Sequence, residues 1–127
     1  MRIHHVAIIA SDYERSRDFY VRVLGCTVIR EVFREARQSW KCDLAIPGDS
    51  ACIELFSFPN PPPRVSNPEA AGLRHLAFAT KDLAATLKHL EHCGVAYEAV
   101  RVDEYTGAKF TFFKDPDGLP LELYEVQ

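Results

Sequence analysis

Two segments of the 127-residue chain match each other, Ile3-His4-His5-Val6-Ala7-Ile8 and Leu73-Arg74-His75-Leu76-Ala77-Phe78. Apolar side chains dominate both segments, as expected of strands, and an aspartate follows each at the same distance, Asp12 or Asp82. A second match, Ile53-Glu54-Leu55-Phe56 with Leu121-Glu122-Leu123-Tyr124, lies towards the end of each half. The same order of segments therefore occurs twice, which predicts an internal repeat of one structural module.

A helix and three further strands are predicted in each half. Both aspartates are good helix N-caps, apolar residues recur at helical spacing after them, and the helices are expected to end at Gly25 and Gly94. Turn-forming segments at residues 47–49 and 115–118 separate strand candidates. The predicted strands cover residues 27–34, 39–46 and 51–58 in the first half, and residues 96–103, 109–114 and 120–126 in the second.

The order βαβββ, found twice, predicts an α+β fold. Module 1 covers about residues 1–58, a linker covers about 59–71, and module 2 covers about 72–127, within one domain of residues 1–127. The linker begins Pro59-Asn60-Pro61-Pro62-Pro63-Arg64. Because consecutive prolines favour the extended polyproline conformation, we expect a stiff spacer here.

The composition is that of an ordinary globular protein, with 47% hydrophobic and 26% charged residues. A net charge of −3 leaves no basic face for a phosphate backbone, so nucleic acid is not an expected partner. No apolar run reaches the ~18 residues of a membrane span, and the first residues do not resemble a signal peptide, which predicts a cytoplasmic protein. The cysteines form no Cys-x-x-Cys pair and are expected to be free thiols.

Each half places one histidine and one glutamate among apolar strand residues: His5 and Glu54, then His75 and Glu122. By strand alternation, His4 should face away from His5. Burying an unpaired carboxylate is costly, and a divalent metal would compensate both glutamates while accepting two imidazoles. The residues alone also allow a plainer interpretation, in which the glutamates are exposed and the histidines make structural hydrogen bonds.

These four residues, together with Asp115-Pro116-Asp117-Gly118 just before Glu122, resemble the vicinal oxygen chelate superfamily and, within it, the glyoxalase I-like proteins. The resemblance covers essentially the whole chain. It implies a curved mixed sheet that the two modules form around a metal site. It also implies a small-molecule substrate and a divalent ion, Ni, Zn, Co or Mn. The implied ligands are His5, Glu54, His75 and Glu122.

The resemblance further implies a lyase or isomerase, in which a glutamate removes a proton from carbon and the metal stabilises an enediolate. We expect Glu122 to be the catalytic base, with Glu54 as its counterpart. Glutathione-using members have an arginine and an asparagine where this chain has Ile9 and Phe58, which argues against glutathione. Candidate cations for an anionic substrate are Arg34, Arg37 and Lys109.

Proteins with other functions in the same superfamily have different sets of metal ligands. A metal-free sequestering protein of the bleomycin-resistance type lacks them, an extradiol dioxygenase uses iron with two histidines and one carboxylate, and thiol transferases have three ligands. An epimerase could use the same set. The presence of all four candidate metal ligands in this chain favours the lyase or isomerase. We expect a homodimer, although the sequence equally allows a site within one chain.

Overall fold

The chain forms two units, Met1–Pro63 and Arg64–Gln127, in a computed structural model that describes residues 1–127. Each unit has one α-helix and four strands, and the first also has a short 3-10 helix, Glu35–Arg37. The predicted α+β class and the repeated order βαβββ are confirmed. The first unit contains β1 (His5–Ala10), α1 (Tyr13–Arg22), β2 (Thr27–Arg34), β3 (Ser39–Ala45) and β4 (Cys52–Ser57). The second unit contains β5 (Leu76–Thr80), α2 (Leu83–His92), β6 (Arg101–Val102), β7 (Lys109–Lys114) and β8 (Pro120–Glu125).

Both units have the same sheet topology. The strand order is β1-β4-β3-β2 in the first and β5-β8-β7-β6 in the second. The first strand of each unit pairs in parallel with the last, and the other pairs are antiparallel. The parallel register sets Ala7 beside Glu54 and Ala77 beside Glu122, so the two glutamates occupy equivalent places.

Each sheet buries one face and leaves the other open. In the first unit, Tyr20 of α1 and the strand residues Leu44, Ile53 and Leu55 are fully buried. Leucines of α2 and β8 form the corresponding core of the second unit. Because side chains alternate along a strand, His5 and Glu54 lie on the opposite, open face of the first sheet.

The helices begin as the sequence predicts. The Asp12 side chain accepts a hydrogen bond from the Arg15 backbone at 3.1 Å, and Asp82 accepts one from Ala85 at 2.9 Å. Neither helix, at ten residues each, is long and apolar enough to cross a bilayer. All four cysteines are free thiols, as expected.

The strand predicted over residues 96–103 is largely wrong. Only Arg101–Val102 pair as β6, and Tyr97 makes an isolated bridge with Phe113. Tyr97 and Arg101 are four residues apart, but their partners on β7, Phe113 and Phe110, are only three apart. The pairing therefore shifts by one residue. Where the strand pairing is interrupted, the Thr111 hydroxyl donates a hydrogen bond to the Glu98 carbonyl at 2.6 Å and so takes the place of a backbone N–H.

The predicted stiff linker is also wrong for its second part. The boundary between the units follows Pro63, and residues 66–69 form a turn within the second unit. Arg64 holds this segment folded, because its guanidinium donates to the carbonyls of Leu73 at 2.8 Å and Arg74 at 2.9 Å. The prediction that both modules make up one domain stays a prediction.

Candidate functional site

The first predicted pair of ligands is in contact. His5 Nε2 lies 2.5 Å from Glu54 Oε2, and the Glu54 side chain is 16% exposed. The pair forms because β1 runs parallel to β4, which sets His5 and Glu54 diagonally next to each other on the open face. A ring nitrogen of His5 and a carboxylate oxygen of Glu54 therefore lie within hydrogen-bond distance of each other.

A lysine that the sequence analysis missed holds the other oxygen of Glu54. Lys41 Nζ lies 2.9 Å from Glu54 Oε1 and 2.8 Å from Asp43 Oδ1. Asp43 is directly opposite Glu54 in the register of β3 and β4. The hydrogen bonds to Asp43 and then to Glu54 raise the pKa of Lys41, and the Lys41 hydrogen bond is the main cause of a lowered Asp43 pKa. Lys41 is therefore a firmly charged bridge between two carboxylates.

His4 contacts the site instead of facing away from it, contrary to the prediction. It lies just before β1, outside the regular alternation, and its Nδ1 is 2.8 Å from His5 Nδ1. A hydrogen bond to the second ring nitrogen is the usual way in which a protein orients a metal-binding imidazole. His4 therefore orients the His5 ring so that Nε2 faces Glu54.

The second predicted pair is also in contact. His75 Nε2 lies 3.0 Å from Glu122 Oε2, and the Glu122 side chain is 12% exposed. Phe112 packs edge-on against the His75 ring, with ring centroids 5.1 Å apart, and lies opposite Glu122 in the register of β7 and β8. This is the place that Asp43 occupies in the first unit, so no acidic neighbour or bridging lysine restrains Glu122.

The turn at residues 115–118 sets the register that presents Glu122. Asp115 is buried, and its Oδ1 accepts hydrogen bonds from the backbone of Asp117 and Leu119, both at 2.9 Å. Gly118 has φ +81°, a conformation that side chains strain to adopt. The Asp-Pro-Asp-Gly motif thus has a structural role, which is to join β7 and β8 in one fixed alignment.

The structure brings His5 to Glu54 and His75 to Glu122. Within either unit, no group of three or more His, Cys, Asp or Glu side chains is placed to hold a metal ion. The four-ligand set thus stays a prediction, based on two equivalent two-residue pairs.

A cleft of about 570 Å³ lies in the second unit, next to His75. Its walls are the segment 64–74, the adjoining ends of β7 and β8, and the side chains of Glu98 and Arg101. The cations that line it are Arg64, Arg74, Arg101 and Lys114.

None of the three cations selected from the sequence lines this cleft. Arg34 and Arg37 lie over the Phe58 ring in the first unit, at 6.0 and 5.6 Å from its centroid, and Lys109 is exposed at the start of β7. Of the four cations in the cleft, only Lys114 has a signal in the sequence, since it lies two residues from Phe112 and therefore on the same face of β7.

Comparisons with known proteins identify a family for the chain. Residues 2–123 match the family model of the Glyoxalase/Bleomycin resistance protein/Dioxygenase superfamily. The chain is 60% identical over 124 residues to "Uncharacterized protein YaeR" of Escherichia coli (strain K12), which covers 98% of this chain and 95% of that protein. It is 28% identical over 128 residues to "Glyoxylase I 4" of Arabidopsis thaliana, over 95% of this chain and 68% of that protein.

A solved structure matches the whole fold. The glyoxalase family protein from Enterococcus faecalis superposes with a TM-score of 0.91 and 48% identity, over 98% of this chain and 97% of that chain. The predicted resemblance to the glyoxalase-type superfamily is therefore confirmed.

Proposed function

Because the chain belongs to the Glyoxalase/Bleomycin resistance protein/Dioxygenase superfamily, we propose that it is a metal-dependent lyase or isomerase of the glyoxalase I type. Its substrate is a small oxygenated molecule, and the reaction moves a proton between neighbouring carbons. The observation that supports the proposal most is the repeated pair, His5 with Glu54 and His75 with Glu122, in which imidazole nitrogen meets carboxylate oxygen in both units.

The four side chains fit a divalent ion. Imidazole nitrogens and carboxylate oxygens suit Ni, Zn, Co and Mn. Both glutamates are mostly shielded from water, and Glu122, unlike Glu54, has no lysine to compensate its charge. We propose that His5, Glu54, His75 and Glu122 hold one such ion. When bound, it would stabilise the negative charge that develops on the substrate oxygens.

The difference between the two glutamates supports Glu122 as the base. Glu54 is restrained at both oxygens, by His5 and by Lys41, whereas Glu122 contacts His75 and has the apolar Phe112 opposite it. A base must move towards the carbon from which it takes a proton, and the less restrained carboxylate can do so. Glu122 therefore takes the proton and returns it to the neighbouring carbon, while Glu54 serves as a fixed ligand.

The surroundings of His5 support a substrate other than a glutathione adduct. Ile9 lies on the same open face as His5 and is 53% exposed, and it has no group that could hold a carboxylate. The exposed Val32 lies on the same face of the sheet, where a second chain would cover both residues. We propose a homodimer in which His5 and Glu54 of one protomer complete the site with His75 and Glu122 of its partner.

Calorimetric titration of the metal-stripped protein with Ni²⁺, Zn²⁺ and Mn²⁺ tests the metal site. We expect about one ion per chain, and at least about a 100-fold weaker affinity in His75→Ala because a direct ligand is lost. His92→Ala, on the exposed surface of α2, is the matched control and should bind as the native chain does. Absence of binding by the native chain would overturn the proposal in favour of a metal-free sequestering protein. Equal binding by His75→Ala would overturn it by showing that His75 is not a ligand.

A substrate screen that begins with hemithioacetals tests the base. On any substrate found, Glu122→Gln should lower the rate by about 100-fold or more, because a general base is lost, while Glu122→Gln still binds metal. Glu54→Gln should lose more metal affinity than Glu122→Gln. Native activity in Glu122→Gln would show that another group removes the proton.

A further inference from the structure

The cleft beside His75 is positively charged in an otherwise acidic chain. Its lining contains four cations, Arg64, Arg74, Arg101 and Lys114, against the two acidic side chains Glu69 and Glu98. The chain as a whole has a net charge of −3. A concave site with this local excess attracts anions, because the surrounding protein concentrates the field within it.

Three of these cations are available to a ligand. Arg74 pairs with Glu69 at 3.3 Å and Arg101 with Glu98 at 3.2 Å, and all four side chains are more than half exposed. Exposed pairs of this kind contribute little stability, so an incoming anion can replace the glutamates. Lys114, exposed at the end of β7, has no ion pair.

Arg101 is held in place by aromatic rings. Its guanidinium carbon lies 5.1 Å from the centroid of Phe110 and 5.5 Å from that of Phe112. Stacking on a ring orients the planar guanidinium while leaving its N–H groups free to donate to a carboxylate or phosphate. The same Phe112 ring contacts His75, so Arg101 and His75 share one side chain as their support.

Arg64 has a different role. Its Nε donates to the Ser66 hydroxyl and its Nη2 donates to the carbonyls of Leu73 and Arg74, so it braces the segment 64–74 that forms one wall. This bracing keeps Arg74 and His75, at the end of the segment, next to the cleft. The wall is therefore fixed by hydrogen bonds before any ligand arrives.

We propose that this cleft binds the carboxylate or phosphate group of a small organic molecule, with Arg101, Lys114 and Arg74 as donors. Its volume of about 570 Å³ suits a small molecule and not a polymer. The inference rests on the proposed function in one respect: if His75 binds the metal, then the anion in the cleft is the substrate, and its oxygenated end reaches His75. The substrate class is then a small organic acid or phosphate ester.

Anion binding by the metal-stripped protein tests this proposal without any enzymatic assay. The ¹⁵N-labelled chain is titrated at low ionic strength with inorganic phosphate in one arm and malonate in the other, and the Gly72 and Lys114 amides are followed by NMR. We expect saturable shifts there in the native chain, and an affinity about tenfold lower in Lys114→Met and in Arg101→Met, because each removes a charged hydrogen-bond donor. The stronger of the two ligands identifies the charged group as a phosphate or a carboxylate.

Lys88→Met on α2 is the matched control, since it removes the same charge outside the cleft. It should leave the affinity within about twofold of native, as expected for a distant exposed charge. Equal weakening in all three variants, or no saturable shift at Gly72 and Lys114, would overturn the proposal.

The metal titration of the native chain separates this proposal from the proposed function. If the chain binds the anions but no metal, the cleft is a binding site and the lyase assignment fails. If it binds metal but neither anion, the cleft proposal fails alone.

Discussion

Replacing Lys41 with methionine would leave two carboxylates facing each other with no cation between them. Lys41 Nζ lies 2.8 Å from Asp43 and 2.9 Å from Glu54, and these two residues are opposite each other on neighbouring strands. Methionine keeps the length and the apolar stem of lysine but not its charge. We therefore expect Lys41→Met to destabilise the metal-free protein.

The expected cost follows from the contacts that remain. Removing a hydrogen bond between charged groups costs about 1.5–3 kcal/mol when the site is shielded. Here Lys41 is 27% exposed, and Asp43 keeps Arg30 while Glu54 keeps His5, which reduces the loss. Repulsion between opposite carboxylates about 5 Å apart adds roughly 1 kcal/mol where water screens them. We expect a net loss of about 2 kcal/mol in the free energy of unfolding.

Urea unfolding at pH 7, followed by circular dichroism in the presence of a chelator, measures this loss. The same substitution in a Glu54→Gln background should cost only about 1 kcal/mol, because one partner and the repulsion are then both absent. Lys109→Met is the control: Lys109 is exposed on β7 with no ion pair, and its replacement should cost less than about 0.5 kcal/mol.

Two results would refute this reasoning. A Lys41→Met variant as stable as Lys109→Met would mean that the bridge contributes nothing measurable. An equal cost in the native and Glu54→Gln backgrounds would mean that Lys41 and Glu54 are not coupled.

Two further predictions concern the first unit and the assembly. The hydrogen bonds from the Tyr13 hydroxyl, at 2.5 Å, and from Arg17, at 2.6 Å, lower the pKa of Glu31. A carboxyl whose pKa is lowered by folding stabilises the protein above its unfolded-state pKa, and this stabilisation is lost as the pH falls through its folded-state pKa. Glu31→Gln should therefore cost about 1 kcal/mol of unfolding free energy at pH 7 and progressively less below about pH 5. Urea unfolding at each pH measures this cost. For the assembly, His5→Ala and His75→Ala chains refolded together should regain about one metal site per four chains by calorimetry, because half of the random dimers then contain one intact site.

Each of these two predictions has a result that would contradict it. A cost of Glu31→Gln that is constant from pH 7 to about pH 3 would show that the charge of Glu31 does not stabilise the fold. Metal binding in the refolded mixture that only equals the average of the two variants would place the four ligands within one chain.

The repeated pairs could be predicted from the sequence because their geometry depends on the local chain. His5 begins β1 and His75 immediately precedes β5, while each glutamate is in the last strand of its half, where alternation fixes the face on which it lies. Lys41 could not be assigned in this way. Its role depends on β3 lying beside β4 with Asp43 opposite Glu54, which is a property of the register between strands.

Two of the wrong predictions have causes distant in the sequence. The strand at 96–103 is interrupted where the Thr111 hydroxyl binds the Glu98 carbonyl, and a hydroxyl does not reveal its partner in the sequence. The proline-rich segment predicted an extended chain, yet Arg64 folds the residues after it by reaching carbonyls nine and ten positions away. The cationic cleft was missed for the same reason, since this folded segment forms its wall.

The position of Trp40 makes the two units separately observable. It is the only tryptophan of the chain, and it stacks on Tyr13 with ring centroids 5.2 Å apart in the first unit. Fluorescence excited at the red edge of the indole band therefore reports on the first unit alone, whereas circular dichroism reports on both. Denaturation curves from the two signals coincide if the halves of this duplicated fold melt as one cooperative block, and separate if each half melts on its own.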